Sequence, residues 1–516
     1  MEVYKPTGIK WVWAHRRNMA LTQAELFSEG LKGEGYFPAV RFSRHNYLAA
    51  FTPGDGAYIF YDEQELRRNT KAFQEDISTG RCTQKKLSAL SNKFFKKVNN
   101  ASLAFGGANL RKLGGAELLG LFRDFRKAMA IGPIITVQLW GIECCWNPRF
   151  ELSKFLTAKF SEWNETDRYQ ECVETLSASR EKSVPFRERE SFLGIASRIQ
   201  MNGEVQKAFY LDSPIRIEQA FEKYPKLKRE FDRHITDYAW TTSEYMSVPW
   251  TRSQWIEAFR RDLRRNCKEE LSDLLLGYRV ALAKKRKLLR RLKPPKKILR
   301  ILDVLEEFTN QRDWAKGKYS EAYLNWQPLI AELARRMDCS KEEATFHSLD
   351  EIELFLQKGE IVPPAEIEKR KKGYIAISHG RPFKIYSGNK ETILREEGIY
   401  WQFASSGKAS LLHGIVGCGG LATGKARVVK TPAERDLVKE GEILVTYMTT
   451  MEFTPLFRKV AAIVTDEGGL SSHAAIVSRE FRLPCIVGTK NATKVFKTGD
   501  MIEVDGINGT VRRIKQ

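Results

Sequence analysis

The sequence predicts a multidomain α+β protein with a mixed N-terminal region, a mainly helical middle and a C-terminal α/β domain. Three observations carry this expectation. The chain has 516 residues, which at roughly 150 residues per domain allows three or four domains. Its composition, 42% hydrophobic and 29% charged with 11 Trp, 17 Tyr and 29 Phe, supplies large cores and excludes a disordered or low-complexity chain. The hydrophobic spacing changes character near residue 150 and again after residue 410.

Residues 1–150 read as mixed α/β. Tyr36 to Tyr61 carries aromatic and β-branched runs around Thr52-Pro53-Gly54-Asp55-Gly56, the pattern of a hairpin. Glu63 to Asn100 and Glu117 to Trp146 have helical spacing. Residues 151–400 read as mainly helical, with a 3.6-residue period from Trp255 to Arg291 and again from Ile298 to Met337. Ser348 with Glu351 forms a capping box for a further helix, and Pro363-Pro364 punctuates its end. Tyr374 to Ile377 reads as a short strand, and residues 401–411 as a linker containing Ser405-Ser406-Gly407-Lys408.

In residues 412–516 short apolar runs at Ala426–Val429, Glu442–Thr446, Ala461–Thr465, Cys485–Gly488, Met501–Val504 and Thr510–Ile514 read as strands. Helical stretches at Thr454–Lys459 and His473–Phe481 lie between them, the pattern of a compact α/β domain.

The eight cysteines form no CxxC pair, so reduced thiols in a cytoplasmic protein are expected, with no metal site. The N-terminus lacks an apolar core segment, so no signal peptide is expected. The apolar stretch Ala128–Ile142 is shorter than the roughly 20 residues that span a bilayer and holds a Gly-Pro pair, so no membrane partner is expected. The net charge of +21 is densest at Lys284–Arg300, where ten of seventeen residues are basic. Leucines interleaved at helical spacing read this run as the basic outer face of a packed helix, with an anion- or partner-docking surface as the alternative. Nucleic-acid binding is not favoured, because no nucleic-acid module accompanies the charge.

One segment carries chemistry: Thr465-Asp-Glu-Gly-Gly-Leu-Ser-Ser-His473-Ala-Ala-Ile-Val-Ser-Arg-Glu480. A strand ends in a Gly468-Gly469 turn, Ser471 or Ser472 offers a helix N-cap, and His473 falls in the first helical turn. The first N–H groups of a helix lack intrahelical partners, and the dipole there is positive. An anion beside His473 would meet those donors, two hydroxyls and Arg479. A neutral imidazole in such a place can act as a nucleophile for phosphorus; a structural histidine is the alternative reading of the same residue.

This stretch resembles the phosphohistidine, or swivelling, domain of the phosphoenolpyruvate-utilising enzymes, among them phosphoenolpyruvate synthase, pyruvate phosphate dikinase and rifampin phosphotransferase. Gly468, Gly469, Ser471, Ser472, His473, Ala474, Ala475, Arg479 and Glu480 match the motif. Gly420–Val429, Glu442–Thr450, Leu483–Gly488 and Val504-Asp505-Gly506 extend the likeness over the last hundred residues, with Met451 where relatives usually carry Pro.

The resemblance implies that His473 accepts a phosphoryl group, with Thr465, Gly468, Gly469, Ser471, Ser472 and Arg479 binding or positioning the phosphate. No ATP-grasp signature is seen. The resemblance therefore implies a separate ATP-grasp subunit that holds most of the ATP and Mg²⁺ and charges His473, and a small-molecule acceptor bound by the N-terminal and helical regions. A weaker likeness to the acceptor-binding helices of such proteins marks His234, Tyr238 and Trp240 as substrate-binding candidates; a packed helix face also explains them. A regulatory phosphohistidine protein without turnover is the alternative.

Overall fold

The structure is a computed structural model. It describes residues 11–17, 47–52, 56–86, 88–89, 92, 96–100, 109–129, 151–165, 168–211, 214–242, 249–378, 384–388, 390–399, 411–430, 432–470 and 472–514. Most of the apolar stretch Ala128–Ile142, nearly all of the expected linker 401–411 and Ser471 lie outside them. Helices and two sheets build the chain, which divides into two compact units: Met1–Phe155 with Pro295–Ser405, and Leu156–Pro294 with Ser406–Gln516. Among the described residues no helix is long and apolar enough to cross a membrane.

The first unit holds β1 (Trp11–Arg17), β2 (Tyr47–Thr52), β3 (Gly56–Asp62), β4 (Tyr374–Ser378) and β5 (Lys384–Ser387) in one antiparallel sheet, ordered β1-β3-β2-β4-β5. β2 and β3 form the expected hairpin, paired from Tyr47 to Thr52. β4 joins it by setting Ile377 opposite Leu48 and Ile375 opposite Ala50, and these side chains bury together with Phe60, Ile393 and Leu394. This long-range pairing ties residues 295–405 to the N-terminal region. The boundary at Pro294 and Pro295 therefore runs through the helical region expected at 151–400.

Ser348 and Glu351 form the expected capping box on the helix Leu349–Lys358. Pro364 does not close an element. It opens the helix Pro364–Lys372 at its first turn, where a missing N–H costs nothing.

In the second unit, residues 156–294 form a helical segment. Its main helices are α1 (Val184–Gln200), α2 (Pro225–Tyr238), α3 (Arg252–Asp262) and α4 (Cys267–Leu292). The continuous helix expected from Trp255 to Arg291 is therefore two. Asn266 is the reason: its side chain accepts from the Glu269 N–H at 3.2 Å and starts α4 afresh. Phe192, Phe209, Phe221, Phe231, Trp255 and Phe259 fill the core, with the Phe192 and Phe259 rings stacked at 3.8 Å. The first part of the basic run, Lys284 to Leu292, lies at the end of α4. There Arg291 pairs with both carboxylate oxygens of Glu165 and stacks 3.9 Å over Trp163. Lys285 is turned inward onto the Ala178 carbonyl at 2.5 Å.

The C-terminal domain of this unit is an eight-stranded mixed sheet. Its strands are β6 (Leu411–His413), β7 (Ile415–Cys418), β8 (Leu421–Val429), β9 (Ile443–Thr446), β10 (Ala462–Thr465), β11 (Cys485–Val487), β12 (Met501–Asp505) and β13 (Thr510–Arg513), ordered β6-β13-β12-β8-β9-β10-β11-β7. Strands β8 to β11 are parallel, β9 to β11 are fully buried, and antiparallel strands flank them on both sides. Such burial on both faces explains why these strands read as short apolar runs rather than alternating ones. The helix α5 spans His473–Phe481, the bounds the sequence gives. The expected helix at Thr454–Lys459 is instead a 3-10 helix, Met451–Arg458, with Pro455 inside it supplying no N–H.

Candidate functional site

The motif lies at the carboxyl ends of the parallel strands β9 and β10, where open α/β sheets place their ligand sites. β10 ends at Thr465, whose side chain is fully buried. Its hydroxyl donates to the Glu467 carbonyl at 2.6 Å, and its carbonyl accepts from the Thr489 N–H and hydroxyl. The Asp466 carboxylate accepts from the Thr493 N–H at 2.9 Å. The turn that follows is thus braced on both sides before the chain reaches α5.

Gly468 sits at φ 120°, a region closed to most L-residues, and a Cβ there would fall 2.9 Å from the Ser472 Cβ. The Gly469 carbonyl accepts from the Ser472 N–H at 2.9 Å. Ser472 is the N-cap of α5, accepting from the Ala475 N–H at 3.3 Å. His473 is therefore the first residue of the helix, at its positive end.

His473 is 3% exposed. Its Nδ1 lies 3.0 Å from the Thr449 hydroxyl, in the segment after β9, and the Phe457 ring meets the imidazole edge-on at 5.7 Å. The Thr449 contact engages Nδ1 and restrains the rotation of the ring. Thr449 and Phe457 were not singled out from the sequence. A run of Thr-Tyr-Met-Thr-Thr after a buried strand was the available signal, but spacing does not say which hydroxyl turns toward a histidine 24 residues away.

Arg479 donates to the Gly417 carbonyl at 3.0 Å and to the Leu470 carbonyl at 2.8 Å. It ties β7 to the loop before His473, and burial pulls its pKa below the ordinary arginine value. In this conformation it shapes the loop from behind.

His234, Tyr238 and Trp240 lie at the end of α2 and the turn after it. The rings of His234 and Tyr238 share a face at 5.0 Å, whereas the Trp240 indole N–H donates to the Asp237 carbonyl at 3.0 Å. His234 is 1% exposed, its Nδ1 2.9 Å from the Ser191 hydroxyl and its Nε2 3.5 Å from Glu188. Burial and the Glu188 charge raise the Tyr238 phenol to about 12. The carboxyl of Glu188 is pushed up by burial, but the charge of Arg458 and the His234 contact outweigh this and hold it at about 2.

The C-terminal domain thus sets a capped helix that begins with His473 against a mixed α/β sheet. Residues 438–509 match the family described as "PEP-utilising enzyme, mobile domain". A probable phosphoenolpyruvate synthase of Archaeoglobus fulgidus is 43% identical over 168 residues, covering 31% of this chain and 22% of that protein. The phosphoenolpyruvate synthase of Pyrococcus furiosus is 43% identical over 152 residues, covering 29% and 18%. The rifampicin phosphotransferase of Bacillus subtilis is 28% identical over 250 residues, covering 46% and 28%. The matched stretches thus span less than a third of the length of these relatives.

Proposed function

We propose that the chain is a phosphotransferase component. His473 receives a phosphoryl group from an ATP-grasp partner and passes it to a small-molecule acceptor bound by the N-terminal and helical regions. The observation that carries this reading is the placement of His473 at the first position of α5 with Nδ1 held by Thr449. The relatives named phosphoenolpyruvate synthase and rifampicin phosphotransferase support the same chemistry.

In the first transfer the Nε2 lone pair attacks the donor phosphorus, the N–P bond forms as the P–O bond to the donor breaks, and the donor leaves with the electron pair. In the second, an acceptor oxygen attacks the same phosphorus, the N–P bond breaks and the acceptor's proton passes to a base or water. The helix N-terminus and the hydroxyls of Ser471 and Ser472 would receive the phosphate oxygens, with Gly468 and Gly469 keeping the approach open. Thr465 and Arg479 would hold that loop in place.

The donors around His473 are hydroxyls and peptide N–H groups, which suit phosphate oxygens more than a divalent cation. Mg²⁺ and ATP belong mainly to the partner under this reading, where the metal supplies charge neutralisation on the transferring phosphate.

The test is intact mass after incubation with Mg-ATP and a candidate ATP-grasp subunit. The wild-type chain should gain one phosphoryl group, acid-labile and base-stable as a phosphoramidate is, and His473→Ala should gain none. Equal labelling of His473→Ala, or His473-dependent ATP hydrolysis by the chain alone, would overturn the proposal. The burial of His473 favours a second reading, a regulatory domain that is phosphorylated without turnover. Labelled protein that transfers nothing to any acceptor pool would favour that reading.

A further inference from the structure

Arg458 ends the 3-10 helix beside His473, and its side chain is 2% exposed. Its Nη2 donates to both carboxylate oxygens of Glu188 on α1, at 2.5 and 2.6 Å, and its guanidinium lies 4.1 Å over the Phe192 ring. This is a buried ion pair between the C-terminal domain and the helical segment, formed by residues 270 positions apart. Weaker polar contacts surround it. Arg265 pairs with Glu440 and donates to the Arg458 carbonyl at 3.2 Å. The Ser183 hydroxyl donates to Glu480, and Arg435 donates to the Thr242 carbonyl at 2.9 Å.

Two features make this contact suited to repeated release. First, the Nε and Nη1 groups of Arg458 are buried without a hydrogen-bond partner. Docking therefore strips water from donors that it does not re-pair, and a buried pair of this kind gains little net energy over its desolvation while still fixing one orientation. Second, the elements it pins are the two that flank His473. The 3-10 helix carries Phe457 against the imidazole and packs on Ala239–Thr242, and α5, which begins at His473, packs on α1 and α4. His473 is 3% exposed in this arrangement.

We propose that Arg458 and Glu188 form a docking latch that holds the C-terminal domain on the helical segment with His473 covered, and whose release sets how often His473 meets a donor. The proposal rests on the phosphoryl-carrier reading above and adds the gate to it. It also gives His234 a role distinct from substrate binding: held by Ser191, it braces the carboxylate that receives Arg458.

Arg458 becomes solvent-facing when the domain leaves, so Arg458→Glu opposes Glu188 only in the docked state. The measurement is the rate of diethylpyrocarbonate modification of His473, read by peptide mass spectrometry, alongside the phosphoryl-labelling rate. Arg458→Glu should raise modification about tenfold, Arg458→Ala should raise it less, and the exchange Arg458→Glu with Glu188→Arg should return it toward wild type. Unchanged modification in Arg458→Glu and Arg458→Ala, each with a wild-type far-ultraviolet spectrum, would overturn the latch. The modification readout needs no donor. Faster modification with no phosphoryl label would uphold the latch and count against the carrier reading, whereas labelling of His473 at equal rates in all variants would do the reverse.

Discussion

The C-terminal domain and the helical segment 156–294 share one unit, yet their chemistry is specified in different ways. In the domain, the turn, cap, histidine and helix from Thr465 to Phe481 are consecutive, so most of the candidate site is written in one short stretch, with local bonds inside it and braces from Thr449, Thr489 and Thr493. In the helical segment the charged groups that matter are scattered. Glu188 faces Arg458, Arg189 faces Asp262 and Glu270, and His234 faces Glu188, all across packed helices. A locally built site tolerates change elsewhere and fails at single backbone positions. A site assembled by packing fails when the core beneath it shifts.

The largest expected effect tests that dependence on the core. Phe259 is fully buried and stacks on Phe192, whose ring also lies under the Arg458 guanidinium. Phe259→Ala should cost about 3–5 kcal/mol in stability. In denaturant melts the helical segment should unfold earlier, while the C-terminal domain alone keeps its transition. A single unshifted transition would break the comparison.

Next is Gly468→Val. The φ of 120° and the closeness of Ser472 predict about 1–3 kcal/mol of local strain. Because the strain sits in the turn that presents His473, labelling should fall more than tenfold with a modest loss of thermal stability. Wild-type labelling would mean that the turn does not position the phosphate.

Thr449→Val keeps the side-chain shape and removes the hydroxyl beside His473 Nδ1. The loss of about 1 kcal/mol, typical of one hydrogen bond, should slow labelling roughly five- to tenfold with little change in melting. A pH profile that keeps its wild-type midpoint and height would show that Thr449 does not hold the reactive tautomer.

The smallest effect over the working range is that of pH on the latch. The Glu188 carboxyl, facing Arg458 and His234, is held at about 2, below its ordinary value of 4.5. Its contribution to docking is therefore complete above pH 4.5 and is lost as pH falls through that value toward 2. Modification of the sole reporter, His473, should be flat with respect to Glu188 above pH 5. A Glu188-dependent change between pH 6 and 8 would contradict this direction.

Much of the fold was legible where the signals are local. The bounds of α5 follow from Ser472 as cap and the apolar run after His473, and the Ser348–Glu351 capping box is formed as read. The break between α3 and α4 also had a local sign, Asn266 followed three residues later by Glu269, but the continuous apolar period across Leu263 masked it. Strands β6 and β7 were not read, because three- and four-residue edge strands carry too little pattern without their partners.

By itself the sequence determined the C-terminal sheet's buried strands, the family that domain resembles and the histidine at its helix start, since each rests on residues within a few positions of one another. Only the tertiary structure decided that β4 completes a sheet with the hairpin of residues 47–62, that Thr449 is the hydroxyl on His473, and that Arg458 meets Glu188. The physical reason is the same in each case. Pairings between distant residues depend on which buried surfaces pack together, and a buried charge or strand edge finds its partner only after the core has brought the two into reach.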